Sequence, residues 1–465
     1  MPLFVSNTLS GLKEEFVPLE PGRAGLYTCG PTVYNFIHIG NLRTFLWEDV
    51  LRRHLEFSGY AVTHVMNITD VDDKTIRDSA KEGISLRAFT ERFTEYFFED
   101  IRTLRVKPAH HYPRATDFIP QMVEIIRKLT ERGFTYTSED GSVYFRIAAF
   151  PGYGRLAKLD LEGIKPGARV ATDEYEKEDV RDFALWKAEG DGPVAWDTPI
   201  GRGRPGWHIE CSAMSSHYLG ETFDLHTGAV DNIFPHHENE IAQSECASGK
   251  PFVKYWLHAE HLIVDGEKMA KSKGNFYTLR DLLEKGHAPL AIRYLLISVP
   301  YKKKLNFTFA GLEGAYQAVD RLSNFIARLN GLVESGADGG ADILPQIKSF
   351  KEGFRAGLDN DLNTAEAIGA LFSFIREVNP LLESNSLSAL NAGLALQALR
   401  EADAVLDLFP PAPKLQEEAL PLIKEREVMR KAKRWAEADA IRTQLSEMGV
   451  ILEDTAQGTR WRKKI

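Results

Sequence analysis

Hydrophobic and polar positions near the start of the chain follow the pattern of a strand, a helix and a second strand. Residues 25–29 form a short apolar run that stops at Gly30-Pro31, and large apolar side chains then recur at helical spacing between residues 40 and 57. A β-branched run follows at residues 61–68. This pattern predicts a βαβ unit with a parallel sheet, in which the loop after the first strand leads to a helix N-terminus that can bind an anion.

The rest of the chain changes pattern several times. The further stretches are a weakly alternating strand pair at 1–23, a region at 110–200 in which two Gly/Pro-rich stretches frame a charged segment at 159–187, a second βαβ stretch at 203–248, short strands with a glycine-rich turn at 249–310, and leucine-spaced helices at 311–405. The segment at 110–200 is interpreted as an inserted subdomain. A proline-rich linker at 410–413 precedes a net basic tail, which is most often a solvated helix face.

The amino-acid composition mainly excludes certain classes of protein. The 465 residues carry 57 Lys and Arg against 66 Asp and Glu, a formal net charge of −9, and 43% of them are hydrophobic. These values are typical of a soluble globular protein of roughly two to four domains. They exclude disordered, collagenous and uniformly basic proteins. A local basic patch remains compatible with them, because phosphate binding needs positive charge only where the backbone lies.

The cysteine content and the absence of targeting patterns favour the cytoplasm. Three cysteines cannot build a disulfide framework, and no apolar run approaches the ~18 residues of a membrane-spanning helix. The N-terminus has neither a signal-like apolar core nor the composition of a transit peptide. Each cysteine therefore needs its own explanation, as core, as metal ligand or as nucleophile.

Two short motifs carry candidate chemistry. The motif His38–Asn41 starts the predicted helix, where a histidine beside a glycine can approach a phosphate and the helix dipole adds attraction. Lys268 and Lys271 lie in a lysine-rich loop, and lysine is a point charge that can follow a phosphoryl group during transfer. Each motif alone is more often a capping turn or an idle exposed loop.

Together, and in this order, the two motifs resemble the HIGH and KMSKS signatures of class I aminoacyl-tRNA synthetases. Further segments extend the resemblance over essentially the whole chain and make it similar to the cysteinyl-tRNA synthetases in particular; they are residues 29–34, 67–74, 203–214, 234–240 and 457–461. Two departures stand out. Asn41 replaces the second histidine of the first signature, and Ala270 replaces a serine of the second.

The resemblance implies an α/β multidomain fold. A Rossmann-like, doubly wound parallel sheet with an insertion would be followed by a helical bundle and a small C-terminal α+β domain. The implied domains are the two halves of a catalytic domain at 1–110 and 203–248, a connective insertion at 111–202, a linking domain with the KMSKS-like loop at 249–310, a helical bundle at 311–408 and an anticodon-binding domain at 414–465.

The resemblance also implies one Zn²⁺ per chain. From spacing alone, two cysteines as distant as Cys29 and Cys211 are more often buried core than ligands. His236 and Glu240, four apart, would share one helix face, whereas His237 would point about 100° away. Cys29, Cys211, His236 and Glu240 nevertheless match the ligands of the family and offer donors that suit zinc. A thiolate on zinc would separate cysteine from serine more sharply than shape can.

The remaining site residues follow from the same resemblance. It assigns catalysis at the ATP phosphates to His38, Lys268 and Lys271, with Mg²⁺ accompanying ATP. ATP binding would involve His38, Gly40, Asn41, Asp231, Lys268, Lys271 and Ser272. The cysteine pocket would involve Gly30, Thr69, Trp207 and His226, for which ordinary core packing is the alternative.

The implied activity is the ATP-dependent ligation of cysteine to the 3′-terminal ribose of tRNA(Cys) by a cytoplasmic monomer with no membrane partner. One alternative is a cysteine-adenylating ligase of the mycothiol pathway, which passes cysteine to an amino-sugar. Such ligases are shorter and lack an anticodon-reading tail, whereas residues 457–461 indicate that tail here. A second alternative, an inactive RNA- or metal-binding paralogue, is suggested only by Asn41.

Overall fold

A computed structural model describes residues 2–159, 182–189, 192, 194–410, 419–455 and 458–463. The chain forms two compact units. The first unit consists of Met1–Glu284, Val299–Phe307 and Ala356–Ala365, and the second of Lys285–Ser298, Thr308–Arg355 and Glu366–Ile465.

Helices and strands are mixed over the first two thirds of the chain, and helices dominate the last third. Up to residue 205 the elements are β1 Phe4–Asn7, β2 Leu12–Glu15, β3 Arg23–Thr28, α1 Ile39–Phe57, β4 Ala61–Met66, α2 Asp73–Glu82, α3 Leu86–Thr103, α4 Ile119–Glu131, β5 Thr135–Thr137, β6 Val143–Phe145, β7 Phe183–Ala188, β8 Trp196–Thr198 and β9 Gly201–Pro205. Up to residue 307 they are α5 Trp207–Leu219, β10 Phe223–Ala229, α6 Val230–Asn232, α7 Glu238–Ser248, β11 Val253–Ala259, β12 Leu262–Val264, β13 Glu267–Lys268, α8 Leu279–Glu284, α9 Pro289–Ile297 and β14 Leu305–Phe307. The remainder are α10 Phe309–Ser335, α11 Leu344–Asp359, α12 Thr364–Glu383, α13 Ala389–Leu406, α14 Ala419–Lys431, α15 Trp435–Glu447, β15 Val450–Thr455 and β16 Gly458–Lys463.

The predicted parallel sheet is confirmed. Strands β11, β10, β3 and β4 lie side by side in that order, and every neighbouring pair is parallel. Alternate residues of β3 enter different cores: Leu26 packs with Trp47 of α1, whereas Tyr27 packs with Met214 of α5. The sheet therefore carries helices on both faces, as a doubly wound fold requires.

The segment predicted as an insertion contains a sheet of its own. Its five strands are antiparallel and follow the order β5-β6-β7-β9-β8. Most of the charged segment at 159–187, namely residues 160–181, lies outside the residues that the structure describes. Strand β9 ends at Pro205, directly before α5. The insertion thus returns the chain to the helix that carries Cys211.

The prediction of short strands with a turn over 249–310 is incomplete. Strands β11 to β14 lie there, but so do the helices α8 and α9. Helix α9 begins with a proline in its first turn and buries nearly all its apolar side chains. A short run that is apolar at every position but Arg293 and Tyr294 has no clear amphipathic period, so its sequence does not distinguish a buried helix from a buried strand.

The second unit is mostly helical, in agreement with the leucine spacing. Helices α9 and α13 are tied together inside it, because the buried Arg293 donates a hydrogen bond from Nε to the Leu406 carbonyl oxygen at 2.8 Å. The hairpin of β15 and β16 follows α15. Across the described part of the chain, no helix has the length and hydropathy needed to cross a bilayer.

Candidate active site

A cavity of about 380 Å³ opens where the adjacent parallel strands β3 and β10 end. Ligands of open α/β sheets bind at this carboxyl edge. Both sequence motifs contribute to its walls; the predicted site residues among its lining are Cys29, Gly30, His38, Asn41, Trp207 and Lys271. Residues that are far apart in the sequence therefore surround one volume.

His38 occupies the N-cap of α1. Its Nδ1 accepts hydrogen bonds from the backbone N–H groups of Gly40 at 3.1 Å and Asn41 at 3.3 Å, which places the proton of the neutral ring on Nε2. Burial lowers the pKa of His38 to about 4; Lys271 adds to that effect, and Asp231 opposes it. The imidazole is therefore neutral at pH 7, with Nε2–H available to donate to a phosphate.

The lysine-rich loop meets the start of α1 through an aromatic ring. The Lys271 Nζ lies 5.1 Å from the centre of the Phe276 ring, and the His38 ring packs edge-on against the same ring at 5.4 Å. The backbone N–H of Ile39 also donates to the Tyr277 carbonyl oxygen at 2.9 Å. These contacts bring one cation and one neutral donor to the same end of the cavity.

The four predicted zinc ligands form a second cluster, which adjoins the cavity through Cys29. The candidate donor atoms of Cys29, Cys211, His236 and Glu240 all lie within 4.8 Å of one another. Oε1 of Glu240 is 3.0 Å from Nε2 of His236 but accepts no well-formed hydrogen bond from any described residue. Two thiols, an imidazole and a buried carboxylate oxygen that lacks a donor fit a thiophilic divalent cation such as Zn²⁺.

The electrostatics of this cluster favour a cation. Burial raises the pKa of the Cys29 thiol, and the neighbouring Cys211 raises it further. Burial also opposes ionisation of Cys211, but the hydrogen bond from Cys29 and the nearby His236 outweigh burial and lower the pKa of Cys211 to about 6. Burial likewise opposes ionisation of Glu240, yet His226 and His236 lower its pKa to about 2. Thiolate and carboxylate are thus both accessible at neutral pH.

A second set of donors shares Cys29 and Glu240 but includes His226 and His237, and its atoms also lie within 4.8 Å of one another. The expectation that His237 points away is wrong, because its Nε2 lies 3.2 Å from Sγ of Cys29. The segment Ile233–His237 is not a regular α-helix, because the backbone of Phe234 is extended (φ −136°, ψ 132°), so side-chain directions expected from an ideal helix do not hold across it. The two adjacent histidines were the only sequence signal for this arrangement.

Two residues predicted for the cysteine pocket flank the cluster. Trp207 is 41% exposed and stacks on His236, with ring centres 4.3 Å apart and planes inclined by 26°. His226 is fully buried, and its Nε2 lies 2.9 Å from Oε2 of Glu240. Trp207 therefore lines the cavity directly, whereas His226 acts through Glu240 by fixing the orientation of the carboxylate.

The other two predicted pocket residues are linked through Asn67. The N–H of Gly30 donates to Oδ1 of Asn67 at 2.8 Å, and Nδ2 of Asn67 donates to Oγ1 of Thr69 at 3.1 Å. Oγ1 of Thr69 in turn donates to the buried Glu210 at 2.8 Å. A Cβ on Gly30 would lie 1.7 Å from the Asn67 carbonyl oxygen, so only glycine fits. Thr69 does not line the cavity but holds Asn67, which in turn holds Gly30 in the cavity lining. Neither Asn67 nor Glu210 was assigned a role from the sequence.

The remaining predicted ATP-binding residues do not line the cavity. The side chain of Asp231 is 68% exposed, and its Oδ2 lies 3.4 Å from Nδ1 of His261. Lys268, the last residue of β13, and Ser272, in the segment that follows, are both exposed. Gly40 lies under His38, and a Cβ there would come within 2.9 Å of the imidazole.

Comparison with known proteins gives a family for this arrangement. A model described as the tRNA synthetases class I (C) catalytic domain matches residues 15–317; a DALR domain matches 353–410, and a cysteinyl-tRNA ligase anticodon binding domain matches 412–462. The chain is 50% identical to the cysteine–tRNA ligase of Solibacter usitatus, with all of both chains covered. It is 47% identical to that of Protochlamydia amoebophila, over 100% of this chain and 98% of the relative.

The chain belongs to the cysteine–tRNA ligase family. The fold of this family member is also found in a methionyl-tRNA synthetase from Mycobacterium tuberculosis, with a TM-score of 0.65 at 15% identity over 83% of this chain and 92% of that one. The predicted fold class and the resemblance to cysteinyl-tRNA synthetases are thereby confirmed. As a cysteine–tRNA ligase family member, the chain is an aminoacyl-tRNA synthetase.

Proposed function

We propose that the chain activates L-cysteine with ATP to cysteinyl-adenylate and transfers the cysteinyl group to the 3′-terminal ribose of tRNA(Cys). The observation that carries this proposal is the cavity itself, which has phosphate-binding groups at one end and a thiophilic cluster at the other. This arrangement suits a substrate pair in which one partner carries phosphates and the other a thiol.

In the activation step the side chains mainly stabilise charge and form no covalent bond to the substrates. The carboxylate of cysteine attacks the α-phosphate of ATP in line, and pyrophosphate leaves. Nζ of Lys271 and the Nε2–H of His38 stabilise the charge that builds on the phosphates, Lys268 assists from the same loop, and Mg²⁺ accompanies the nucleotide. Gly40 and Asn41 supply the backbone N–H groups that orient His38, while Asp231 and Ser272 bind ATP from the rim.

Cysteine selection rests on the buried cluster. Cys29, Cys211, His236 and Glu240 would hold one Zn²⁺, which when bound supplies a soft Lewis acid that prefers a thiolate to the hydroxyl group of serine. His226 keeps Glu240 oriented, and Trp207 covers the cluster on the cavity side. Gly30, fixed by Asn67, leaves room for the amino acid beside Cys29.

Transfer to tRNA is supported by the C-terminal match to an anticodon binding domain. We assign anticodon reading to the predicted domain at 414–465. The same segment disfavours the amino-sugar ligase of the mycothiol pathway, which lacks such a tail. All three cysteines are free thiols, as expected for a reducing cytoplasm, and we expect the enzyme to act as a monomer.

The test is to charge total tRNA with labelled cysteine in the presence of ATP and Mg²⁺, with labelled serine as the control. We expect label on tRNA from cysteine alone, and serine activation more than tenfold weaker in pyrophosphate exchange. Pyrophosphate exchange without charging would instead support the amino-sugar ligase. Comparable activation of serine would contradict thiol selection, and inactivity in both assays would contradict the whole proposal.

A further inference from the structure

The second unit contains a cavity of about 710 Å³ between α10 and α12. Arg321 and Arg328 line it from α10; because they are seven residues apart, they project from one helix face. Arg376 lines it from α12. The buried Phe325 forms part of its lining and packs edge-on against Phe374, with ring centres 6.2 Å apart. The cavity is thus a concave site lined by arginines from two helices.

None of the three guanidinium groups forms an ion pair within the described residues. Arg328 donates to Oδ1 of Asn379 at 3.2 Å and Arg376 to Oγ of Ser373 at 3.3 Å, while Arg321 lies over the Phe372 ring at 5.3 Å. All of these partners are neutral. The three arginines outnumber the one carboxylate of the lining, that of Glu383, so the concave surface carries net positive charge and attracts an anion. Guanidinium groups match phosphate geometry closely.

The same cavity also offers hydrogen-bond acceptors. Glu383 lines it and makes no ion pair in the described chain, and Oδ1 of Asn324 is buried without a donor among the described residues. Pro380 lies within α12 and lacks an N–H, so the carbonyl oxygen of Arg376 cannot receive the usual helical hydrogen bond. Acceptors beside an anion site suit a ligand that carries hydroxyl or amino groups as well as phosphate.

We propose that this cavity binds a small phosphorylated ligand of nucleotide size, at a site separate from the catalytic cavity. Its phosphates would lie between the guanidinium groups of Arg321, Arg328 and Arg376, and its hydroxyl or amino groups would face Glu383 and Asn324. The volume falls within the range of small-molecule pockets. Arginines from both α10 and α12 line the same cavity, which favours a small ligand held between two helices over a nucleic-acid backbone lying along one surface.

The experiment is calorimetric titration of the full chain with ADP and with GDP. The variants are the double substitution Arg321→Gln/Arg376→Gln, the control Arg400→Gln and the catalytic variant Lys271→Ala. Arg400 is an exposed arginine of α13 that does not line this cavity, so its substitution controls for the loss of a surface charge. Arg321 and Arg376 are themselves exposed, and equal unfolding temperatures will verify that the double variant is folded.

We expect at least one of the two nucleotides to bind at a site, one per chain, that is retained in both Lys271→Ala and Arg400→Gln, whatever binding the catalytic cavity adds. The double variant should bind it at least about tenfold more weakly, because charge-assisted hydrogen bonds to phosphate are lost. The proposal is overturned if neither nucleotide binds, or if binding disappears in Lys271→Ala and persists in the double variant. It is also overturned if the double variant weakens only tRNA binding, which would identify a backbone contact.

Discussion

The two ends of the catalytic cavity are built in opposite ways. At the end proposed to hold zinc, called the metal end below, Cys211, His236 and Glu240 are at most 2% exposed, and their donor atoms lie within 4.8 Å of one another. At the phosphate end, Asn41 and Lys271 are exposed, and His38 is held by two backbone N–H groups of its own helix. The difference agrees with the two proposed roles: a preorganised, buried site suits selection of a small side chain, whereas groups on a loop and at a helix end suit a phosphoryl charge that moves during the reaction.

The largest effect is expected from a substitution that removes a ligand at the metal end. Cys211→Ala should reduce bound zinc to a small fraction of one per chain and lower cysteine-dependent pyrophosphate exchange by at least about 10³-fold, more than loss of a residue that only supports a ligand. Metal analysis of the purified protein and exchange kinetics measure both. Cys246→Ala is the matched control, because Cys246 is buried outside the cluster and should keep zinc and activity. A zinc-free Cys211 variant with full activity would remove the metal from the mechanism.

The next largest effect tests whether the two ends of the cavity act independently. Lys271→Ala should lower the rate of adenylate formation by about 10²- to 10³-fold, since one preorganised charge at the phosphates is lost, while cysteine affinity stays nearly unchanged. Single-turnover kinetics and equilibrium binding of cysteine distinguish the two. Lys273→Ala is the control, because Lys273 is paired with Glu267 and lies outside the cavity lining. Equal losses in rate and cysteine affinity would show that the ends are not independent.

A smaller effect separates the two tasks of His38. Asn is as good an N-cap as any residue, so His38→Asn should keep the stability within about 0.5 kcal/mol while His38→Ala loses about 1 kcal/mol. Both variants lack the Nε2–H donor, so both should slow adenylate formation by about tenfold or more. Denaturant unfolding and pyrophosphate exchange measure the two properties. An active asparagine variant would reduce His38 to a capping residue.

The smallest effect concerns Glu48, whose carboxyl group is buried and has no basic side chain paired with it among the described residues. Burial raises the pKa of Glu48 to about 8, against the hydrogen bond from Oγ1 of Thr227 at 2.7 Å, and Oε2 finds no partner among the described residues. The unfolded chain ionises Glu48 from its ordinary value of 4.5 upward while the folded chain keeps the proton. Glu48 therefore removes stability as pH rises from about 5 to 8.

Glu48→Gln should abolish this pH dependence and raise the Tm by roughly 2 °C at pH 8, with little gain at pH 5. Calorimetric scans across that pH range measure it. Glu56 on the same helix is the contrasting control: although burial opposes its ionisation, Lys107 and Arg52 lower its pKa, so Glu56→Gln should lose stability. A Glu48→Gln variant with the same Tm profile as the parent would contradict the raised pKa.

The sequence predicts local structure in this protein better than it predicts contacts between distant segments. Helix α1 begins at residue 39 and ends at 57, close to the expected 40–57, because its apolar spacing and its cap are both local. Helices α8 and α9 were missed: α8 has only six residues, too few to show a period, and α9 is apolar at nearly every position. Convergence of Cys29, Cys211, His236 and Glu240 was expected only from resemblance, and no local pattern could reveal the turn that brings His237 to Cys29.

The fit of Gly30 against the Asn67 carbonyl oxygen has a consequence for how this protein can change over evolutionary time. Because even the Cβ of alanine would lie 1.7 Å from that oxygen, all nineteen replacements meet the same barrier, whatever their polarity or size. Most surface positions of the chain can drift through a series of nearly neutral substitutions. No single substitution of Gly30 is tolerated unless the backbone of Asn67 has already shifted. A substitution at position 30 must therefore follow an earlier substitution elsewhere that moves this backbone.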